Sequence, residues 1–187
     1  MKYSRISIAF IVVLATVFSA CKPTVPDKAL IQDIQRMAGE CSVFLTANYT
    51  LGDTVVFVRE NGNVERFIVQ SIKTYLSNNQ EEMPNEGFMY FDISVNLVGD
   101  KASPNTTHMA VYLRNSGANH SNPRQICAAL SVPNVPYQYA TVEQQAEEWT
   151  IVGEKNNIRC TLTKGIGITS FADAEGHTWQ LFHADEE

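Results

Sequence analysis

Apolar residues at every second position are the feature that most limits how this chain can fold. Between residues 88 and 98 one alternating set is apolar, and its members are Phe91, Ile93, Val95 and Leu97. A period of two is typical of a strand with one buried face. Similar runs follow to residue 182, mostly joined by short turns, and strands do not alternate with long helices. We predict about eight or nine strands. The predicted fold class is mainly β and antiparallel, either barrel-like or a sandwich, with a short N-terminal helix.

The turn at Asn61-Gly62 gives the clearest hairpin. It stands between the strand-like segments 54–60 and 63–70. Asn-Gly is the strongest short hairpin signal because a type I′ turn needs positive φ at both central residues. A turn of this type places Val56 opposite Phe67. Turn residues predict two further hairpins, 149–152 with 159–163 and 165–171 with 177–182.

The segment 125–148 contains signals for both strand and helix. Residues 125–132 form a short apolar run, and Pro133 and Pro136 follow it. Because proline cannot donate to a sheet ladder, these two residues restrict the run to an edge or to a strand end. Thr141-Val-Glu-Gln144 matches a capping box, which predicts one or two helical turns toward Glu148.

A short helix is predicted before the first strand. Asp27 can cap it, and apolar residues such as Ile34 and Met37 follow at helical spacing as far as Ala38. Gly39 then supplies a stop signal. This apolar stripe favours a lid packed on a sheet, and a partner-binding helix is the rarer alternative.

The first twenty residues have the pattern of a secretory signal. Met1–Arg5 is cationic, Ile6–Phe18 is almost wholly apolar, and small residues precede Cys21. The apolar run is too short for a transmembrane helix, which needs about 20 apolar residues. We therefore divide the chain into a signal peptide at 1–20, a proline-containing tether at 21–28 and a single β-rich domain at 29–187.

Phe18-Ser-Ala-Cys21 resembles a bacterial lipobox, although Phe18 stands where leucine is usual. The resemblance implies that Cys21 carries a diacylglyceryl group with palmitate-type acyl chains. The alternative is an ordinary signal peptide followed by a cysteine. Two or three acyl chains anchor a protein stably at a membrane. Lys22 replaces the aspartate that retains enteric lipoproteins in the inner membrane. It therefore favours the outer membrane, with the periplasmic face and the cell surface both left open.

Charge and cysteine content limit the possible partners. Removal of residues 1–20 takes away Lys2 and Arg5 but no acid, so the formal charge falls from −6 to −8. An acidic chain is a poor ligand for nucleic acid, whose phosphates attract lysine and arginine. With Cys21 modified, Cys41, Cys127 and Cys160 remain. Two of them can pair in an oxidising envelope, in any of three ways, or all three can stay as buried thiols.

No motif in the chain dictates a reaction. The chain contains no Gly-x-Ser-x-Gly elbow, and Gly165-Ile-Gly167 lacks the third glycine of a nucleotide loop. Glycine there favours a bulge or a close backbone approach. The four histidines lack metal-ligand spacing; His177 and His183, six residues apart, are a weak candidate pair. We predict no catalytic residue, no metal and no cofactor. Four aromatic residues are left as binding candidates, mostly expected in the core but able to line a barrel mouth: Tyr137, Tyr139, Trp149 and Trp179.

Both ends of the chain resemble a known group of proteins. The lipobox, the segment Leu51-Gly-Asp-Thr-Val-Val-Phe57 and the closing stretch from Lys164 to Leu181, with its Gly-x-Gly, are similar to uncharacterised envelope lipoproteins of Gram-negative gut bacteria. The resemblance implies a β-rich domain outside the cytoplasm and carries no activity. We expect a membrane-anchored lipoprotein with a non-enzymatic binding or accessory role and an envelope protein as a possible partner. The alternatives are a small-ligand carrier with a pocket inside a β-barrel and, less favoured, an envelope hydrolase.

Overall fold

The protein is a closed antiparallel barrel. The structure, a computed structural model, describes residues 28–78, 89–100, 108–115 and 125–182. These ranges form one helix and ten strands: α1 (Lys28–Leu45), β1 (Thr54–Arg59), β2 (Val64–Asn78), β3 (Met89–Gly99), β4 (His108–Asn115), β5 (Ile126–Val132), β6 (Val135–Gln144), β7 (Glu148–Gly153), β8 (Arg159–Thr163), β9 (Gly167–Ala172) and β10 (Thr178–Leu181). Each strand pairs with the next, and β10 closes onto β1. The predicted mainly β, antiparallel class is confirmed, and the architecture is the barrel.

Helix α1 is longer than predicted. It continues past Ala38 and through Gly39 to Leu45, so the predicted stop at Gly39 is wrong. Gly39 is exposed, whereas the buried stripe continues with Cys41, Phe44 and Leu45. A glycine inside a helix costs about 0.5–1 kcal/mol relative to alanine. Burial of the large side chains beyond it outweighs that cost, since each contributes about 1.5–3 kcal/mol.

Helix α1 covers one end of the barrel. It packs against β2, β3, β4, β8 and β9. The ring of Phe44 stacks on that of Trp149 in β7, with centroids 4.2 Å apart. The backbone N–H of Gly165, in the β8–β9 turn, donates to the Val43 carbonyl at 3.0 Å. The apolar stripe of the helix is therefore buried on the barrel, as its spacing predicts.

Aromatic side chains fill the middle of the barrel. The rings of Phe57, Phe67 and Phe171 meet edge to face, with centroids 5.1–6.2 Å apart. All three side chains are at most 1% exposed. Trp179 stacks on Phe171 and is 9% exposed. Edge-to-face pairs add about 0.5–1.5 kcal/mol each to the gain from burial.

The first hairpin has a different register from the predicted one. The Gly62 N–H donates to the Arg59 carbonyl, and the Arg59 N–H donates to the Asn63 carbonyl. Gly62 has φ +82°, so the loop is a type I turn closed by a left-handed glycine. This three-residue loop pairs Val55 with Phe67, so the predicted pairing of Val56 with Phe67 is wrong by one residue.

The segment predicted to be helical near Thr141 belongs to β6. Residues 140–144 pair with β7, and Val142 lies opposite Ile151. The capping-box match is wrong because no apolar stripe of helical spacing follows it, and two neighbouring strands supply ladder partners. Pro133 lies in the tight turn between β5 and β6. Pro136 is the second residue of β6, ahead of the part paired with β7. Recognising β6 raises the strand count to ten.

Several predictions fall on residues outside the described ranges. They include the signal peptide, Cys21, Asp27 as a helix cap, and His183 as the partner of His177. Lys28, the last residue of the predicted tether, begins α1. Within the described ranges, no helix combines the length and the hydropathy needed to cross a bilayer.

Candidate binding surface

Small side chains form a floor on the outer wall of the barrel. Strands β4 and β5 pair so that Ala110 lies opposite Ser131, and Ala129 of β5 lies opposite Tyr112 of β4. Their neighbours Met109, Val111 and Leu130 point into the core. Because side chains alternate along a strand, these three small residues point outward. They are nevertheless only 1–3% exposed, so larger side chains cover them.

Three tyrosines provide much of this outer surface. The ring centroids of Tyr112 and Tyr137 are 5.5 Å apart at an interplanar angle of 74°. Those of Tyr137 and Tyr139 are 6.3 Å apart at 68°. Tyr137 and Tyr139 remain 51% and 58% exposed, which is a large aromatic area left in solvent. We define the tyrosine face as Tyr112, Tyr137 and Tyr139 with the floor residues Ala110, Ala129 and Ser131.

Hydrogen bonds hold the innermost of these rings in place. The Tyr112 hydroxyl donates to Asn96 Oδ1 at 2.9 Å, and Asn96 Nδ2 donates to Ser71 Oγ at 2.6 Å. This chain of bonds runs across β4, β3 and β2. A ring fixed by its hydroxyl loses little conformational entropy when a partner binds, which favours recognition.

A groove lies beside Tyr112 and Tyr137, next to the turn between β5 and β6. Its volume is about 510 Å³. His108 Nδ1 lies 3.3 Å from Ser131 Oγ on its wall, and Asn134, in the turn, also lines it. Among the residues that the structure describes, no lysine, arginine or carboxylate lines the groove. We define the tyrosine groove by six of its lining residues: His108, Tyr112, Ser131, Asn134, Pro136 and Tyr137.

Charged side chains of β2, β3 and β4 lie beside the tyrosine face. Lys73 Nζ is 2.5 Å from Asp92 Oδ2, and Asp92 lies opposite Arg114 of β4. Partial burial raises the pKa of the Tyr137 phenol, and Arg114 opposes that shift only in part. The phenol is therefore neutral near pH 7 and can both donate and accept a hydrogen bond.

A second cavity opens at the barrel mouth, between α1 and strands β5 and β6. Its volume is about 480 Å³. Ile126, Ala140 and Val142 line it and are only partly buried, and Met37 of α1 lies opposite them. The ion pair Arg36–Glu40, with Nη1 and Oε1 2.7 Å apart, forms part of its rim. We call this cavity the mouth cleft.

The predicted aromatic candidates separate into two groups. Trp149 and Trp179 are 4% and 9% exposed and belong to the core. Tyr137 and Tyr139 are the exposed pair on the outer wall. Sequence reasoning missed Tyr112. Its position between the buried Val111 and Leu113 is the signal that points its side chain outward.

The three described cysteines are free thiols. Cys41 and Cys160 are buried, and Cys127 is partly exposed. Burial raises the pKa values of the Cys41 and Cys160 thiols far above the ordinary range, and the charge of Glu40 adds to the shift at Cys41. Both shifts disfavour the thiolate, which is the reactive form of cysteine.

One group of side chains has the donor set of a metal site. His177 Nδ1 lies 3.3 Å from both Asp173 Oδ2 and Glu175 Oε2 in the β9–β10 turn. The Asp173 carboxylate, however, already accepts hydrogen bonds from the Trp179 indole at 3.1 Å and from the backbone N–H groups of Glu175 and His177. These bonds explain the cluster as a device that holds the turn together.

No protein-family model, curated protein or solved structure matches this chain. The site geometry and the sequence are therefore the grounds on which we infer a function.

Proposed function

We propose that this chain is a lipid-anchored, non-enzymatic envelope protein that binds a partner through its tyrosine face. Cys21 carries the lipid in this proposal, and the outer membrane is the expected location. Residues 22–28 extend to about 25 Å at most, so the helix end at Lys28 stays close to the bilayer. The lipobox residues 18–21 support the anchor.

The observation that carries the binding role is the exposure of Tyr137 and Tyr139 next to the fixed ring of Tyr112. Tyrosine is enriched among the residues that dominate binding energy because it offers a large contact area with few rotatable bonds. Recognition surfaces commonly contain solvent-exposed aromatic side chains beside a preformed groove.

The non-enzymatic part of the proposal has support from the reactive groups in the described ranges. Cys41 and Cys160 are buried. Asp173 is engaged by the donors of its own turn. The tyrosine groove contains one histidine, whose near neighbour is a serine hydroxyl at 3.3 Å, and none of the described lining residues is a carboxylate that could orient this histidine as a base.

The mouth cleft favours a second candidate, a small-ligand carrier. Barrel mouths are frequent ligand sites, and Ile126, Ala140 and Val142 leave apolar area there only partly covered. The aromatic side chains packed along the middle of the barrel support a site at the mouth rather than deep inside. The carrier role would be favoured if the protein bound an apolar small molecule of defined shape and Val142→Trp abolished that binding.

The anchor is tested by intact-mass and peptide analysis of protein purified from its native host. The expected N-terminus is Cys21 with a diacylglyceryl group, and Cys21→Ser releases the protein from membranes. Recovery of a chain that begins at Met1, or of an unmodified Cys21, contradicts the anchor.

The tyrosine face is tested by crosslinking in intact envelopes. We compare wild type, the double variant Tyr137→Ala/Tyr139→Ala, and Phe182→Ala as a matched control, since Phe182, the residue after β10, is 56% exposed. Crosslinked species that disappear in the double variant and persist in the control support the proposal. Identical patterns in all three proteins refute it.

A further inference from the structure

We infer that the tyrosine groove binds a neutral sugar unit of a glycan. This inference rests on the proposed role of the tyrosine face and specifies its ligand. Three observations support it: the angle between the Tyr112 and Tyr137 rings, the polar groups beside these rings, and the absence of charged side chains from the described lining residues.

The ring geometry suits a non-planar ligand. Tyr112 and Tyr137 meet at 74°, so they form a corner and not a slot between parallel faces. A flat ligand held between two aromatic faces needs a slot with parallel walls, which two rings at this angle do not form. A pyranose instead has an apolar C–H face that packs on one ring, while its equatorial hydroxyls project sideways toward polar groups. Tyr137, half exposed, offers the ring face, and Tyr112 closes the corner.

The polar groups of the groove match hydroxyl groups. The imidazole of His108 and the amide of Asn134 each combine donor and acceptor capacity, and the buried Ser131 Oγ lies 3.3 Å from His108 Nδ1 behind them. A hydroxyl is also both donor and acceptor, so such pairs satisfy each other in either direction. Asn134 has φ +64° in the β5–β6 turn, which fixes its backbone at the edge of the groove.

The lining argues against an ionic ligand. A phosphate or carboxylate calls for arginine, lysine or a cluster of backbone N–H groups. Among the described residues, Arg114 lies opposite Asp92 on the neighbouring strand and does not line the groove. The formal charge of −6 for the chain further disfavours polyanions, including nucleic acid. The groove volume, about 510 Å³, falls within the usual range of small-molecule sites, about 300–1,000 Å³.

The test uses the full chain, purified in a sugar-free detergent, on an array of neutral and acidic glycans. Isothermal titration with the neutral oligosaccharides that bind then gives Kd values. We expect binding to at least one neutral glycan. Tyr137→Ala weakens it about tenfold, the loss of one aromatic contact, whereas Tyr137→Phe keeps most of it because the ring remains.

Two controls keep the test specific. Tyr75→Ala removes a tyrosine that is 37% exposed and pairs with Tyr90, away from the groove, so it leaves the Kd unchanged. Thermal unfolding of Tyr137→Ala is compared with wild type, since loss of folding would also abolish binding. Asn134→Ala, a second groove variant, weakens binding through loss of hydrogen bonds and checks the site independently.

Three results overturn the inference: no neutral glycan binds, only acidic glycans bind, or Tyr137→Ala and Asn134→Ala both bind as wild type does. If glycans fail while crosslinking in envelopes still depends on Tyr137 and Tyr139, the sugar ligand is wrong and the proposed function stands. If neither readout depends on these residues, both fall.

Discussion

Substitution of Gly167 by alanine tests how the connection before β1 is locked to the barrel. Gly167 has φ +99°, a conformation that L side chains rarely adopt. A Cβ there would lie 2.6 Å from Tyr49 Cε2 and 2.9 Å from its hydroxyl oxygen. That oxygen accepts a hydrogen bond from the Ile168 N–H at 2.9 Å. The added methyl group therefore displaces the ring and breaks the bond.

The expected cost has two parts. Holding a non-glycine residue at this φ costs about 1–3 kcal/mol. Loss of the bond between Tyr49 and Ile168 adds about 0.5–1.5 kcal/mol. The Tyr49 ring packs against the core, so it cannot move aside freely. We expect Gly167→Ala to lower the free energy of unfolding by about 2–4 kcal/mol.

Gly165→Ala is the matched control, two residues away. Gly165 also has positive φ, +76°, but an added Cβ would meet nothing within 4 Å. Gly165→Ala therefore loses stability only through its backbone conformation. The extra loss of unfolding free energy in Gly167→Ala measures the contact with Tyr49. Equilibrium urea unfolding measures both, as shifts of the midpoint at constant m-value. If the two variants agree within about 0.5 kcal/mol, the close approach of Tyr49 carries no stability and the reasoning is refuted.

Three further predictions concern Gly39, Asp173 and the three described cysteines. Gly39→Ala stabilises the protein by about 0.5–1 kcal/mol in thermal unfolding, because Gly39 lies exposed inside α1 with free space at its Cβ position; unchanged stability contradicts this. Burial alone would raise the pKa of Asp173, but hydrogen bonds from its turn lower the pKa overall. The Asp173 carboxylate therefore stabilises the fold fully above its ordinary pKa, and this stabilisation is lost as pH falls through the lower pKa of the folded state. We expect Asp173→Asn to be less stable than wild type at pH 7, and its free energy of unfolding to depend less on pH below about pH 4. In the native fold a maleimide labels Cys127 and spares Cys41 and Cys160, which react only on unfolding; peptide mapping checks the order, and equal labelling would contradict the burial of the other two.

The features that depend on neighbouring residues alone were predictable. The alternation in β3 identifies its buried face, and all four apolar members of that set are fully buried. The expectation of a bulge or close approach at Gly165-Ile-Gly167 is confirmed, since Tyr49 contacts the backbone of Gly167. A positive φ or a period of two follows from local sterics, which a single sequence contains.

Register was harder to predict because one dipeptide fits two turns. Asn61-Gly62 can occupy the centre of a type I′ turn, or it can supply the last two residues of a three-residue loop. The two alternatives differ by one residue, which decides whether Val55 or Val56 lies opposite Phe67. Only packing against the rest of the barrel makes that choice, in favour of Val55. The β9–β10 turn uses the same loop, closed by Gly176.

The candidate site could not be assembled from the sequence because its parts come from different strands. Tyr112 lies in β4 and Tyr137 in β6, and the pairing of both strands with β5 brings their rings within 5.5 Å. The capping-box match at Thr141 also concealed β6 as a strand. Long-range pairing overrides local preference there, as it often does in sheets.

The two cavities lie at opposite ends of one strand, and this separation gives the proposed anchor a consequence. The start of β5, at Ile126, lines the mouth cleft beside α1, whereas its end, at Ser131, lines the tyrosine groove. At about 3.4 Å per residue, the two sites are about 17 Å apart along the wall. Because α1 begins at Lys28, directly after the predicted tether, the proposed lipid on Cys21 would hold the α1 end of the barrel near the bilayer. The tyrosine groove then lies at the far end, directed away from the membrane, where a bulky ligand such as a glycan has room to approach.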